Sequence, residues 1–165
     1  MLSGRATRLA QCFVGLDKRY LTDVDLTART STGDPEGQIV EQVEAPSRKE
    51  LERRLEALRG DVELPIPAAS AVKIGGERAY RLARRGVAVE MPTRRSRVEA
   101  LDVIAYTGDS VQLDLRVSSG TYVRAIADVL GGHCRTLRRT EIGPFTVDEA
   151  DPERFIPPEE ALARL

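Results

Sequence analysis

Residues 97–117 constrain the fold more tightly than any other stretch. Val111, Leu113, Leu115 and Val117 alternate with Gln112, Asp114 and Arg116. A period of two puts the aliphatics on one face of a β-strand and the polar residues on the other. Residues 97–106 supply the opposing arm, and Gly108-Asp109 supplies the turn. Such a hairpin buries its apolar face only against another layer. Residues 47–58 read as a helix that lies on a sheet. Ser47 stands at the N-cap, Glu50 follows three residues on as a capping box, Leu51, Leu55 and Leu58 form one apolar stripe, and Gly60 ends it.

The rest of the chain mixes both element types. Residues 3–14 read as a short helix with Ser3 as its cap and Cys12 in its apolar turn. Residues 18–28 alternate, so that Tyr20, Thr22, Val24, Leu26 and Ala28 share one strand face. A turn-rich loop over 29–37 leads to a second strand at 38–43. Pro65-Ile66-Pro67 breaks the chain. Residues 71–73 are extended, Gly75-Gly76 turns, a helix over 77–85 ends at Gly86, and a strand at 87–90 stops at Pro92. Ser118-Ser119-Gly120 opens a helix over 121–130, ended by Gly131-Gly132. Residues 135–145 read as extended or irregular and 157–165 as a last helix. Without a regular βαβ rhythm, this order predicts an α+β fold with a mostly antiparallel central sheet flanked by helices.

With 165 residues the chain is one domain or a piece of one. No apolar run approaches the roughly 20 residues that span a bilayer, and the first five residues lack a signal-peptide core. Two cysteines and a lone His133 make neither a disulfide scaffold nor a zinc site, so a cytoplasmic location is expected. His133 beside Cys134 follows a Gly-Gly turn with no orienting partner, which argues against a thiol nucleophile. Phosphate loops, dinucleotide fingerprints and His-Glu-x-x-His are absent from the sequence. Of 25 cationic residues 22 are Arg, and they fall in blocks at 1–20, 78–97 and 124–139 between acidic stretches. If the fold gathers these blocks, the molecule has a cationic face despite a net charge of −1.

Three stretches fit together in order. Lys18-Arg19-Tyr20 opens a strand before the 29–37 loop. Ser70-Ala71-Val72-Lys73 is followed by Tyr80 and by Ala83-Arg84. Gly120-Thr121-Tyr122-Val123-Arg124 is followed by Leu137-Arg138-Arg139. Together they resemble the catalytic domain of the TruB family of tRNA pseudouridine synthases over about residues 1–150. The resemblance implies isomerisation of uridine 55 in the tRNA T-arm stem-loop: the base is flipped out, the C1′–N1 bond breaks, and the uracil is rejoined through C5. It implies no cofactor or metal, no membrane, and tRNA as the partner.

Residue by residue, the resemblance implies that Tyr20 stacks on the uracil, with its hydroxyl available for proton removal from C5. Read alone, Tyr20 is a core tyrosine on the inner face of its strand. Arg124 lies in a helix first turn, where the dipole disfavours a cation, so its site should offer an anion. The resemblance makes that anion the catalytic aspartate; read alone, Arg124 is as well a structural arginine. Leu137 matches the leucine that packs against the target base. Tyr122 lines the same pocket. Lys18, Arg19, Lys73, Tyr80, Arg84, Arg138 and Arg139 are the implied RNA contacts.

The sequence also departs from the family. The nucleophile motif Gly-x-Leu-Asp-Pro-x-Ala-Thr-Gly does not occur, and residues 2–10 resemble the segment that follows it. The expectation is therefore a partial catalytic domain over 1–165, with its N-terminal part and any C-terminal PUA-like domain missing, that is inactive alone and exposes an unpaired sheet edge. Ala69 replaces a usual aromatic, Ser31 a common Asp, and the link from Asp128 to Leu137 is short. Two further readings compete: a catalytically inactive RNA-binding module on the same fold, and a scaffold whose arginines are surface charge.

Overall fold

The computed structural model describes residues 2–87, 89–151, 153–154 and 156–165. Their strands are β1 (Lys18–Asp25), β2 (Ala28–Thr30), β3 (Ile39–Gln42), β4 (Gly60–Pro65), β5 (Lys73–Ile74), β6 (Glu77–Arg78), β7 (Thr93–Tyr106), β8 (Ser110–Val117), β9 (His133–Ile142) and β10 (Phe145–Thr146). The α-helices are α1 (Ala10–Val14), α2 (Arg48–Ala57), α3 (Ala79–Arg84), α4 (Val123–Leu130) and α5 (Pro158–Ala163). Six strands form one sheet in the order β10-β9-β1-β8-β7-β4, and each pairing in it is antiparallel. The α+β architecture with an antiparallel sheet is thus the one expected.

The β7–β8 hairpin forms as its alternation requires, with Leu101 opposite Leu115 and Val103 opposite Leu113. Val111, Leu113, Leu115 and Val117 are fully buried, alongside Val24, Val98 and Leu101. Helices α2 and α4 cover this face: Leu51, Leu55 and Leu58 join Val123, Ile126 and Leu130 in the same core. Burying a Leu or Ile side chain contributes about 1.5–3 kcal/mol, so this layer holds the sheet and both helices together. Ser47 caps α2 by accepting the Glu50 N–H at 3.3 Å. The reciprocal half of the box is replaced by ion pairs from Glu50 to Arg53 and Arg54, which hold its carboxyl down at about 2.

Several expectations are corrected. Residues 4–9 are a 3-10 turn and only Ala10–Val14 is α-helical; neither piece buries a residue, and Cys12, in the turn that reads as apolar, is exposed. This segment is anchored instead by Phe13, whose ring meets Phe145 edge-on at 5.7 Å. Residues 60–65 are a strand that sequence reading passed over, and β7 extends back to Thr93 to pair with it. Val87, Val89 and Glu90 are in no strand; Val87 donates its N–H to Leu82 O and folds back on α3 (Ala88 lies outside the described residues). The charge-rich stretch 133–142 is a sheet strand beside β1, with two register shifts. Its other edge meets β10 only at Glu141 and Ile142.

Candidate active site

The first turn of α4 sits against two loops. Arg124 Nη1 donates to Thr32 O at 2.7 Å and to Asp34 Oδ2 at 3.0 Å, and Nη2 donates to Ala69 O at 3.0 Å. Asp34 is itself fixed. Its Oδ1 accepts from Thr32 Oγ1 at 2.5 Å and from the Glu36 N–H at 3.2 Å, and its carbonyl accepts from Thr30 Oγ1 at 2.7 Å. Gly33 has φ +75°, and a Cβ there would stand 3.2 Å from Arg124 Cβ, so both backbone and packing favour glycine. The Arg124 and Asp34 side chains are only 21% and 29% exposed, which makes this pair stronger than a surface ion pair. The anion that holds Arg124 in this structure is Asp34 of the 29–37 loop, not the catalytic aspartate that the resemblance implies. A cleft of about 230 Å³ lies beside it, lined by Thr30–Gly33, residues 65–68 and α4.

Tyr20, Thr22 and Val24 alternate onto the helix-covered face, and Tyr20 and Tyr122 both pack against the core. Leu137 stands opposite Thr22, and Arg139 opposite Tyr20, so both share that face. Leu137 is 46% exposed. Cys134 links the two regions. Its N–H donates to Gly33 O at 3.0 Å, and its buried thiol lies against Thr22. Burial pushes that thiol up, which keeps it protonated and inert. Tyr20 and Thr22 thus lie on the sheet face that α4 covers, and the cleft beside Arg124 is lined by other residues.

Lys18 shares the Tyr20 face. Its ammonium donates to Val14 O, Leu16 O and Ser119 Oγ, tying the N-terminal segment to the loop before α4. Burial, and then the nearby Arg139 charge, lower its pKa against an opposing pull from Asp17. Two residues lie elsewhere. Arg19 points to the opposite face, where it donates to Asp114 at 2.7–2.8 Å and to Glu141 at 2.8 Å. Arg138, opposite Leu21, is exposed on that same far face. Hydrogen bonds from Arg19 and then Arg116 hold the Glu141 carboxyl below its ordinary value. A larger cleft of about 340 Å³ beside these residues has its Arg19, Arg116 and Glu141 charges mutually paired.

Lys73, Tyr80 and Arg84 form a separate unit of β5, β6 and α3. The Tyr80 ring carries the guanidinium carbons of Arg81 and Arg84 at 5.9 and 5.6 Å, and Lys73 is exposed. The Tyr80 N–H donates to Ser70 O, one residue from the Ala69 carbonyl that Arg124 holds. Sequence reading missed Asp34, Thr32 and Gly33 as parts of the site. Their signal was a Thr-x-Thr-Gly-Asp turn cluster in the same chain as a helix-start arginine that lacked an anion. Among the described residues, no group of three or more His, Cys, Asp or Glu side chains could hold a metal ion.

The fold is that of a pseudouridine synthase. A chain of a Cbf5–Nop10–Gar1 complex superposes with a TM-score of 0.60 at 23% identity, covering 87% of this chain and 36% of that one. A chain of an H/ACA ribonucleoprotein bound to a substrate RNA containing 2'-deoxyuridine gives 0.55 at 19% identity, covering 87% and 34%. The sequence pattern of the TruB family pseudouridylate synthase (N terminal domain) matches residues 1–123. The tRNA pseudouridine synthase B of Mycobacterium sp. (strain KMS) is 41% identical over 160 residues, 90% of this chain and 54% of that protein. That of Francisella tularensis subsp. tularensis (strain WY96-3418) is 38% identical over 156 residues, covering 89% and 52%. The chain belongs to the TruB family of pseudouridylate synthases. It spans about half the length of these relatives.

Proposed function

We propose that this chain forms the base-binding side of a tRNA pseudouridine synthase acting on uridine 55 of the T arm. The observation that carries the reading is the state of Arg124. Three of its five N–H groups are taken by Thr32 O, Asp34 and Ala69 O, and two are left by the described residues for a second carboxylate. In this reading that carboxylate is the aspartate nucleophile, which a Gly-x-Leu-Asp-Pro segment supplies and this sequence does not contain. The extruded uracil stacks on Tyr20 and packs on Leu137, which stands exposed on the same face. The C1′–N1 bond breaks, the base turns, and C1′ bonds to C5. The C5 proton then leaves to a base, a role this reading gives to the Tyr20 hydroxyl, and N1 gains a proton. The step is an isomerisation and balances without a cofactor.

The isolated 165-residue chain is expected to bind T-arm stem-loop RNA with an affinity that falls steeply with salt, and to form no pseudouridine. Pseudouridine made by this chain alone refutes the missing-nucleophile reading. Absence of salt-dependent T-arm binding refutes the RNA reading. Binding without product is also what an inactive RNA-binding module gives. Joining a Gly-x-Leu-Asp-Pro-x-Ala-Thr-Gly segment ahead of residue 2 separates the two: activity that Arg124→Ala abolishes, with binding retained, belongs to the synthase.

A further inference from the structure

Arg94 was outside the set of residues that the family resemblance singled out, and its surroundings set it apart from the other arginines of β7. Alternation along β7 puts Arg94, Ser96 and Val98 on one face; Ser96 and Val98 are buried, so that face is the core side shared with Tyr20. Arg95 and Arg97 point the other way, and they stand opposite Glu63 and Asp61 of β4. Val98 pairs with Val117, and Val117 pairs with Lys18, so Arg94 lies past the end of β8 and reaches over the loop that follows it. It lands on Gly120. That glycine has φ +79°, and a Cβ on it would overlap the Arg94 guanidinium. The absence of a side chain at Gly120 is therefore what lets the guanidinium lie against the loop backbone.

The 118–122 loop is thus bracketed by two cations on the same side of the sheet. Lys18 reaches it from β1 and donates to Ser119 Oγ at 3.0 Å. Arg94 reaches it from β7. The Lys18 ammonium is consumed by three oxygens, whereas Arg94 is exposed and forms no ion pair with a described residue. Arg124 is the second residue of α4, which starts directly after the loop. A planar fork whose N–H donors bond to no described residue, seated on backbone at the edge of a base-binding face, matches the geometry of a phosphodiester.

We propose that Arg94 grips an RNA backbone phosphate at the rim of the site, next to the extruded nucleotide. The assignment rests on the RNA reading of the site given above. Binding of a fluorescent T-arm stem-loop to the 165-residue chain, titrated between 50 and 200 mM salt, tests it. Arg94→Ala is expected to weaken binding by about threefold to tenfold and to lower the slope of log affinity against log salt by about one. Arg94→Lys keeps the slope, because it keeps the charge, but loses part of the affinity with the bidentate fork. Arg95→Ala, on the far face, leaves both unchanged. An Arg94→Ala slope and affinity equal to wild type overturn the assignment, as does an equal loss from Arg95→Ala. A wild-type chain that does not bind the stem-loop overturns the RNA reading, and the assignment falls with it.

Discussion

At the scale of single residues, the site is a problem of holding a cation where a helix dislikes one. The first turn of α4 contains no acidic residue to offset Arg124. The 29–37 loop supplies the offset from elsewhere in the sequence, by bending Asp34 back under Thr30 and Thr32. Arg124 was legible as a residue in need of an anion, but Asp34 was not legible as its partner. The pair is separated by 90 residues, and only the tertiary fold brings it together. Asp25 on the far face shows the same logic with a measurable pH signature. Burial alone would raise its carboxyl, but hydrogen bonds from Arg135 and Thr27 outweigh burial and bring it to about 2. A carboxylate depressed in the folded state contributes stability that is present above its unfolded value near 4 and is lost as pH falls toward 2. Because Arg135 is about half exposed, the contribution is on the order of 1 kcal/mol. Asp25→Asn should therefore lower the free energy of unfolding at pH 7 by that amount. The gap between variant and wild type, followed by urea titration, should close between pH 4 and pH 2. A gap that does not vary with pH would count against this account.

At the scale of elements, legibility followed hydrophobic pattern. The β7–β8 hairpin, β1 and α2 were readable because their buried faces carry aliphatics at the period of the element. β9 was not, since its middle reads Arg135, Thr136, Leu137, Arg138 and Arg139, all exposed, and its place beside β1 comes from backbone pairing rather than from apolar alternation. β4 was short and led directly out of a helix, which left only Val62 and Leu64 as signal. The arginines of β9 have a physical use. Among the described residues, no strand covers its outer edge before Glu141, and charged side chains on an open edge discourage pairing with another chain. Amide hydrogen exchange read residue by residue along 135–140 should alternate. Amides bonded to β1 should exchange slowly, and amides pointing to the open edge should exchange close to the rate of unstructured chain. Uniform protection along this stretch would mean that the edge is covered.

At the scale of the whole molecule, each face of the sheet carries exposed arginines outside its ion pairs, and the surroundings of those arginines differ. On the far face Arg19, Arg116 and Arg135 are matched against Asp23, Asp25, Asp114 and Glu141, while Arg95, Arg97 and Arg138 form no ion pair with a described residue. On the Tyr20 face Arg94 and Arg139 form no ion pair with a described residue and flank a partly buried Lys18. The β5, β6 and α3 unit adds Lys73, Arg81 and Arg84. The charge blocks of the sequence foretold an uneven surface but not which cations would be neutralised, because ion pairing across strands depends on register. A bulk titration would see only an acidic protein of pI about 6.0. An affinity column sees one side at a time. At pH 7.5, above its isoelectric point, the chain should be retained on immobilised heparin and released by a salt gradient, while Arg94→Ala and Arg139→Ala variants elute earlier. An isoelectric point averages over a surface, whereas a polyanion docks against the side that suits it.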